Sequence, residues 1–144
     1  MNVTFAPFAD TLAVADKIVT ALQPDLSGVH GGITIGRFGK EAPTKGFVVG
    51  SAHGITTLKL PTTTQIDTAV REVARWLGTL PTKVEWVGGW VDDGIAYVDA
   101  VDIHEYGKNV FFDRNSARIY AESDAVARGE LAIYDLENQE TIYV

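Results

Sequence analysis

The sequence of 144 residues contains no cysteine. A disulfide framework, a thiolate zinc site, an iron–sulfur cluster and a cysteine nucleophile are therefore excluded. Long apolar runs are missing as well: residues 46–58 are among the longest uncharged stretches, and a transmembrane helix needs ~20 apolar residues. The first base is Lys17, so the start of the chain lacks the pattern of a secretory signal. We expect a cytoplasmic protein that does not contact membranes.

The composition is typical of a globular chain, with 46% hydrophobic, 10% aromatic and 22% charged residues. A domain of this length buries ~70% of its unfolded-chain surface, which excludes disorder for most of the sequence. We predict a single domain over residues 1–144. A division near residues 80–83 is the alternative, although neither half would have much core alone.

Three segments show the apolar spacing of helices: residues 10–23, 64–77 and 113–128. Asp10, the threonines before Ile66, and Asp113 or Asn115 are the predicted N-terminal caps. Pro24, Gly78 and Gly129 are predicted to follow the helix ends. The predicted inward-facing residues are Leu12, Ala15, Ile18, Val19 and Leu22, then Ile66, Ala69, Val70, Val73, Ala74 and Leu77, and finally Ala117, Tyr120, Ala121 and Ala125.

Several runs are rich in β-forming residues, and they cover residues 31–37, 46–60, 83–91, 95–104, 131–134 and 141–144. The first two are predicted to pair with each other, the second being broken at Ala52-His53-Gly54. Asp92-Asp93-Gly94 predicts a hairpin, because a type I′ turn needs positive φ. The last two predict a closing hairpin. The pattern favours an α+β fold, with about three helices packed on a mostly antiparallel sheet of five to seven strands.

Charge is divided unevenly along the chain. Residues 1–83 carry eight Lys and Arg against six Asp and Glu, net +2, whereas residues 84–144 carry four against thirteen, net −9. No base lies between Lys83 and Lys108, where six acids cover the central hairpin. A regular strand would place Asp102 and His104 on one face and Asp99 on the other.

The acidic hairpin has three interpretations. The simplest is that its carboxylates keep a small protein soluble and protect sheet edges. The functional hypothesis is that the hairpin binds a basic surface on another protein. A divalent-metal site is the third, although the spacing matches no calcium loop. The candidate binding residues are Glu85, Asp92, Asp93, Asp99, Asp102, Glu105, Trp86 and Trp90.

Direct binding of DNA or RNA is disfavoured, because phosphate contacts need a basic face and only Arg37, Lys40 and Lys45 cluster. Trp86 and Trp90 are first of all core candidates, yet they share a strand face four residues apart. As an exposed pair they would form a hot spot for protein binding.

The sequence does not match the catalytic motifs that its glycine-rich segments suggest. Gly39-Lys40 lacks both the earlier glycine and the following Ser or Thr of a phosphate-binding loop. Residues 50–54 place Ser51 one position early for a nucleophile elbow. His30, His53 and His104 are the only candidates for a general base at neutral pH, and no context marks any of them. We assign no catalytic residue, no metal ligand and no cofactor.

The second half resembles a loose group of small uncharacterised proteins from actinobacteria and their phages. The resemblance lies in residues 89–94, in Tyr97-Val98-Asp99, in a helix with spaced alanines, and in residues 128–136, whereas residues 106–112 depart from the group. It implies a phage or mobile-element accessory protein acting in the bacterial cytosol.

We therefore expect a non-enzymatic accessory protein that binds a host or viral protein with a basic surface through its acidic C-terminal half, with inhibition of that protein as one form this binding can take. A virion or assembly component is the alternative, and an enzyme of undetected type is the third reading.

Overall fold

The computed structural model describes residues 5–107 and 112–144, so part of the 106–112 segment lies outside the described residues. The predicted α+β fold is confirmed, with three helices packed on a seven-stranded antiparallel sheet. The elements are α1 (Phe5–Ala21), β1 (Ile33–Gly36), β2 (Gly46–Val49), β3 (Leu58–Pro61), α2 (Ile66–Gly78), β4 (Trp86–Asp92), β5 (Ile95–Glu105), α3 (Arg114–Arg128), β6 (Ala132–Asp135) and β7 (Glu140–Tyr143). No helix in the described part of the chain is both long and apolar enough to cross a membrane.

Strand β5 organises the sheet, whose order is β1-β4-β5-β2-β6-β7. One side of β5 pairs with β4, and the other side pairs with β3 over its first half and with β2 over its second half. Between β2 and β3 the chain leaves the sheet through a 3-10 turn, Ala52–Gly54. The predicted break at these residues is confirmed.

The predicted pairing of the first two β-rich runs is wrong. β1 pairs with β4, in a register that places Ile33 opposite Gly89. The long hairpin of β4 and β5 inserts between β1 and β2, because both of its strands offer an edge to the earlier segments. Composition identifies a strand, but it does not identify the neighbour of that strand.

All three helices cover the same face of the sheet. Val98 and Ala100 of β5 lie in the core cluster beneath α1 and α2. Asp102 and His104 contact side chains of α3, and alternation puts all four residues on one face of β5. On the opposite face the described residues form no helix, and the apolar cluster there is centred on Val48, Trp86 and Val101.

The helix boundaries partly follow the prediction. α1 begins at Phe5, so Asp10 lies inside the helix and not at its N-cap. α2 begins after Gln65, whose side chain makes no capping bond, and Gly78 is its last residue. α3 is confirmed: Asp113 accepts a hydrogen bond from Ser116 N–H, and Gly129 ends the helix at φ 74°.

Most predicted inward-facing residues are buried. Leu12 and Val70 are half-buried, and Ile66 and Tyr120 are exposed. Ile66 is the first residue of its helix, where the buried stripe has not yet begun. Tyr120 stacks edge-on against Phe112 on the outer side of α3, because the three buried alanines leave room only for small side chains beneath the helix.

Candidate functional site

The tip of the β4–β5 hairpin presents an aromatic stack on the helix-free face. Trp90 is 41% exposed and lies parallel to Tyr97, with ring centroids 5.5 Å apart and planes at 12°. Lys59 of β3 places its Nζ 6.0 Å from the centre of the Tyr97 ring. The three side chains therefore form one row across β4, β5 and β3.

Two carboxylates stand beside this stack. Asp92 lies on the same face of β4 as Trp90, about 7 Å further along the strand. Asp93 and Gly94 form the turn at φ 46° and 75°, which confirms the predicted hairpin. Both aspartates are exposed and form no ion pair with the described residues. We call Trp90, Asp92, Asp93 and Tyr97 the hairpin-tip surface.

The remaining predicted binding residues lie elsewhere. Glu105 is at the far end of β5, about 33 Å along the strand from the turn, and Glu85 precedes β4, opposite the middle of β5. Asp102 is ion-paired to Arg128 at 2.6 Å. Asp99 is only 1% exposed. Only Asp92, Asp93 and Trp90 come together at one place.

Trp86 and Trp90 do not form the exposed pair considered from the sequence. Alternation puts it on the same face of β4 as Trp90, as predicted, but Trp86 is buried. The Nζ of Lys40 lies 5.6 Å from the centre of its ring. Trp86 therefore belongs to the core, and Trp90 is the exposed member of the two.

Arginines of α3 neutralise much of the acidic half. Arg114, Arg118 and Arg128 form ion pairs with Asp102, Glu122, Asp124, Asp135 and Glu137. Arg71 and Arg75 pair within α2, with Asp67 and Glu72, and so do not neutralise acids after Lys83. The exposed acids of residues 84–144 without an ion pair to any described residue include Asp92 and Asp93, together with Glu85, Glu105 and Glu140.

A second cluster, which sequence reasoning did not find, is the carboxylate pair of Asp99, which is buried, and Glu130, which is half-buried. Asp99 Oδ2 accepts a hydrogen bond of 2.8 Å from Ser51 N–H and another from the Thr57 side chain. Asp99 Oδ1 is buried and accepts none from the described residues. Glu130 follows the end of α3 and hydrogen-bonds to the Ser51 side chain. The two carboxyl groups meet at Gly50, where no side chain separates them.

Burial raises the pKa of Asp99 above its ordinary value. Burial raises the pKa of Glu130 too, and the neighbouring charge of Asp99 raises it further. Two carboxylates this close do not ionise independently, so they titrate as a coupled pair. Arg128, which donates to the carbonyl of Gly50 at 3.2 Å, supplies only a weak opposing charge to the pair.

The loop held by this pair is conformationally unusual. Ser51 and His53 have φ of 56° and 59°, a left-handed region that costs a residue with a side chain roughly 1 kcal/mol or more. Asp99 and Glu130 both bond to Ser51, so the carboxylate pair holds the turn that joins β2 to β3. The sequence signal was an aspartate between Val98 and Ala100, within an otherwise apolar run.

The histidines do not assemble into a catalytic group. His30 Nδ1 lies 2.9 Å from the carbonyl oxygen of Leu22, and His53 is exposed on its turn. His104 Nε2 lies 2.8 Å from Asp124 Oδ2, on the α3 side of the sheet. Within residues 5–107 and 112–144, no three His, Asp or Glu side chains are grouped so as to hold a metal ion.

An open cleft of about 440 Å³ lies between β3 and the end of α2. It is lined by residues 54–59 and by Trp76, Thr79 and Leu80, and Trp76 Nε1 donates to the carbonyl of Thr56 at 3.0 Å. Lys59 is the one ionisable side chain along its lining. The cleft therefore lacks the paired acid and base that catalysis would require.

Comparison with known proteins gives no relative. No protein family matches the chain, no curated protein is similar to it, and no solved structure resembles its fold. The site must therefore be interpreted from its own geometry.

The carboxylate pair leads to a prediction about pH. We expect Glu130→Gln to raise the free energy of unfolding at neutral pH by about 1 kcal/mol, because glutamine still accepts the Ser51 hydrogen bond but carries no charge. The raised pKa values mean that the folded state holds a proton that the unfolded state has already lost. Stability therefore falls as pH rises from about 4 through the raised values.

Urea unfolding of the wild type and Glu130→Gln between about pH 4 and 7 checks this prediction. The advantage of the variant should grow with pH across that window and then level off. Because Asp135 and its partners are the same in both proteins, their titration cancels in the difference. An advantage that does not change with pH would contradict the assignment of a coupled pair.

Proposed function

We propose that the protein is a non-enzymatic accessory factor that binds another protein through the hairpin-tip surface. The observation that carries the proposal is an exposed tryptophan stacked on a tyrosine beside two carboxylates that form no ion pair with any described residue. Exposed tryptophan is the residue type most enriched at binding hot spots. Unpaired carboxylates at its edge favour a partner with Lys or Arg at the contact.

The chemistry of the partner follows from the same four residues. A cationic side chain of the partner can lie over the exposed face of Trp90, where the ring attracts positive charge. Asp92, on the same face of β4, can then accept its hydrogen bonds. The partner is thus a protein with a basic surface. Nucleic acid is a poor alternative, because phosphate contacts need a basic face, and Lys59 is a single cation beside two exposed aspartates.

The biological context is the one implied by the resemblance of the second half to actinobacterial and phage proteins. In that context the chain is encoded by a phage or mobile element, and its partner is a host or viral protein in the bacterial cytosol. Binding to a basic surface that normally contacts an anionic ligand would inhibit that partner.

The proposal predicts that Trp90→Ala weakens capture of the partner at least tenfold, as expected for a hot-spot residue. Asp92→Asn with Asp93→Asn should weaken capture mainly at low salt, since it removes charge and leaves the turn intact. Asparagine tolerates the positive φ of residue 93. Affinity capture from host lysate with quantitative mass spectrometry, at low and at high salt, measures both effects.

A charge-matched control is available on the same sheet. The double variant Glu105→Gln with Glu140→Gln also removes two negative charges, but at positions far from the hairpin tip. It should leave capture unchanged. If both double variants lose capture equally, net charge and not the hairpin tip is responsible. If only chaperones are captured while the purified protein turns over a metabolite, the binding function is wrong.

A further inference from the structure

The borders of the sheet are not protected equally. Among the described residues, β1, β3 and β7 each have a sheet partner on one side only. The loop after β1 covers its free edge, with Glu41 bridging Ile35. β3 carries Lys59 and Pro61, the residue types that discourage edge pairing. β7, with the sequence Glu-Thr-Ile-Tyr, has no Lys or Pro, and its one charged residue, Glu140, lies at its first position.

The hydrogen bonds of β7 show which backbone groups are free. Val144 N–H donates to the carbonyl of Leu131 at 3.0 Å, and hydrogen-bonded residues alternate along an antiparallel pair. Glu140 and Ile142 therefore turn their backbone groups toward β6, whereas Thr141 and Tyr143 turn theirs outward. No described residue bonds to these outward N–H and C=O groups.

We infer that the outer edge of β7 pairs with the β7 edge of a second copy of the chain. The two outward residues lie two positions apart, which permits a symmetric antiparallel pairing centred on Ile142. Thr141 of each copy then faces Tyr143 of the other, and four backbone hydrogen bonds form. The contact is self-complementary, as a two-fold interface requires.

Charge and side chains agree with this register. Glu140 faces Val144 of the other copy, so the two Glu140 carboxylates stand about 13 Å apart along the strands, beyond the Debye length of roughly 10 Å at 0.1 M salt. Tyr143 is 77% exposed. In this register its side chain lies over the small Thr141 of the other copy and reaches toward Tyr134 of that same copy. A strand from a different protein would reproduce this charge separation and this tyrosine contact only if its sequence were similar to that of β7.

The expected dimer is weak. Stable interfaces bury about 800 Å² on each partner, and a four-residue edge with a few apolar side chains offers less. We expect a monomer–dimer equilibrium with a dissociation constant in the micromolar to millimolar range. Pairing at β7 leaves the hairpin-tip surface free, because β5, β2 and β6 lie between β4 and β7 in the strand order.

Analytical ultracentrifugation over a concentration series up to about 1 mM tests the inference. Thr141→Pro removes one outward donor and leaves the bonds to β6 in place, so we expect the dissociation constant to rise at least tenfold. Thr141→Val keeps the donor and should dimerise like the wild type. A chain that stays monomeric throughout, or a dimer unchanged by Thr141→Pro, would overturn the inference.

Single cysteines provide a second measurement that does not depend on the proline variant folding. Because the chain contains no cysteine, Ile142→Cys introduces a unique thiol that lies about 4.5 Å, Cα to Cα, from its symmetry mate. This distance suits a disulfide. Oxidation should cross-link Ile142→Cys but not Glu140→Cys; cross-linking of both at equal rates would contradict the register.

Discussion

Replacing Arg114 with alanine should lower the free energy of unfolding by about 3–5 kcal/mol, the cost of leaving a buried charge without its partner. Arg114 Nη2 donates to Asp135 Oδ2 at 2.7 Å, and Asp135 is fully buried. The guanidinium also lies 4.8 Å from the centre of the Phe47 ring and bonds to the Tyr106 hydroxyl. The alanine variant therefore loses the ion pair with Asp135 and the contacts with Phe47 and Tyr106 at the same time.

The pH dependence of this effect has a defined sign. The hydrogen bond from Arg114 lowers the pKa of Asp135, and bonds from Asn138 lower it further. The stabilisation from Asp135 is therefore complete above its ordinary value near 4 and is lost as pH falls through the lowered value. The difference in the free energy of unfolding between the wild type and Arg114→Ala should therefore become smaller in strong acid.

Arg118→Ala is the matched control on the same helix. Arg118 forms an exposed ion pair with Glu122 at 3.5 Å, and pairs of this kind contribute less than about 1 kcal/mol. Urea unfolding of both variants at neutral pH and near pH 3 completes the comparison. Equal losses for Arg114→Ala and Arg118→Ala would mean that the Asp135 pair does not anchor α3.

Replacing Gly50 with alanine should cost about 1–3 kcal/mol, the usual range for an overpacked site. The added Cβ would overlap Glu130 Oε1 and stand 2.9 Å from Asp99 Oδ2. The φ of Gly50 lies outside the left-handed region, so the backbone tolerates alanine. The expected loss therefore comes from the overlap with the carboxylate pair of Asp99 and Glu130.

A double-mutant cycle isolates that cause. In a Glu130→Ala background the Gly50→Ala change should cost at least about 1 kcal/mol less, because the overlapping side chain is gone. Gly78→Ala serves as control: its Cβ would meet nothing within 4 Å, and alanine favours the helix. Calorimetry or urea unfolding gives all four stabilities. An additive cycle would contradict contact between Gly50 and Glu130.

Local signals were sufficient for much of the fold. Asp93-Gly94 specified the hairpin because few residues accept two consecutive positive φ angles. Asp113 and Gly129 marked the ends of α3 because each satisfies backbone groups that the helix leaves free. The pairing of β1 with β4 could not be predicted in this way, since it joins residues about fifty positions apart and depends on the whole sheet.

The candidate site was predicted in part. Counting charge identified the acidic hairpin, and its turn carries two exposed aspartates beside Trp90. The count could not show that Asp102 faces Arg128 or that Asp99 is buried, because both facts depend on how α3 and the loop after β2 close over β5. The carboxylate pair joins residues thirty-one positions apart: the apolar run around Asp99 marks that residue, but no local pattern marks Glu130 as its partner.

The apolar interior beneath the helices is divided into two clusters, one under α1 and α2 and one under α3. Among the described strands, β5 links the two: Val98 and Ala100 belong to the first cluster, and Asp102 and His104 contact α3, which covers the second. Cooperativity between the two halves of the molecule therefore depends on this single strand and on the polar groups that flank its middle. A change at the centre of β5 would loosen the coupling between two regions that could otherwise open separately.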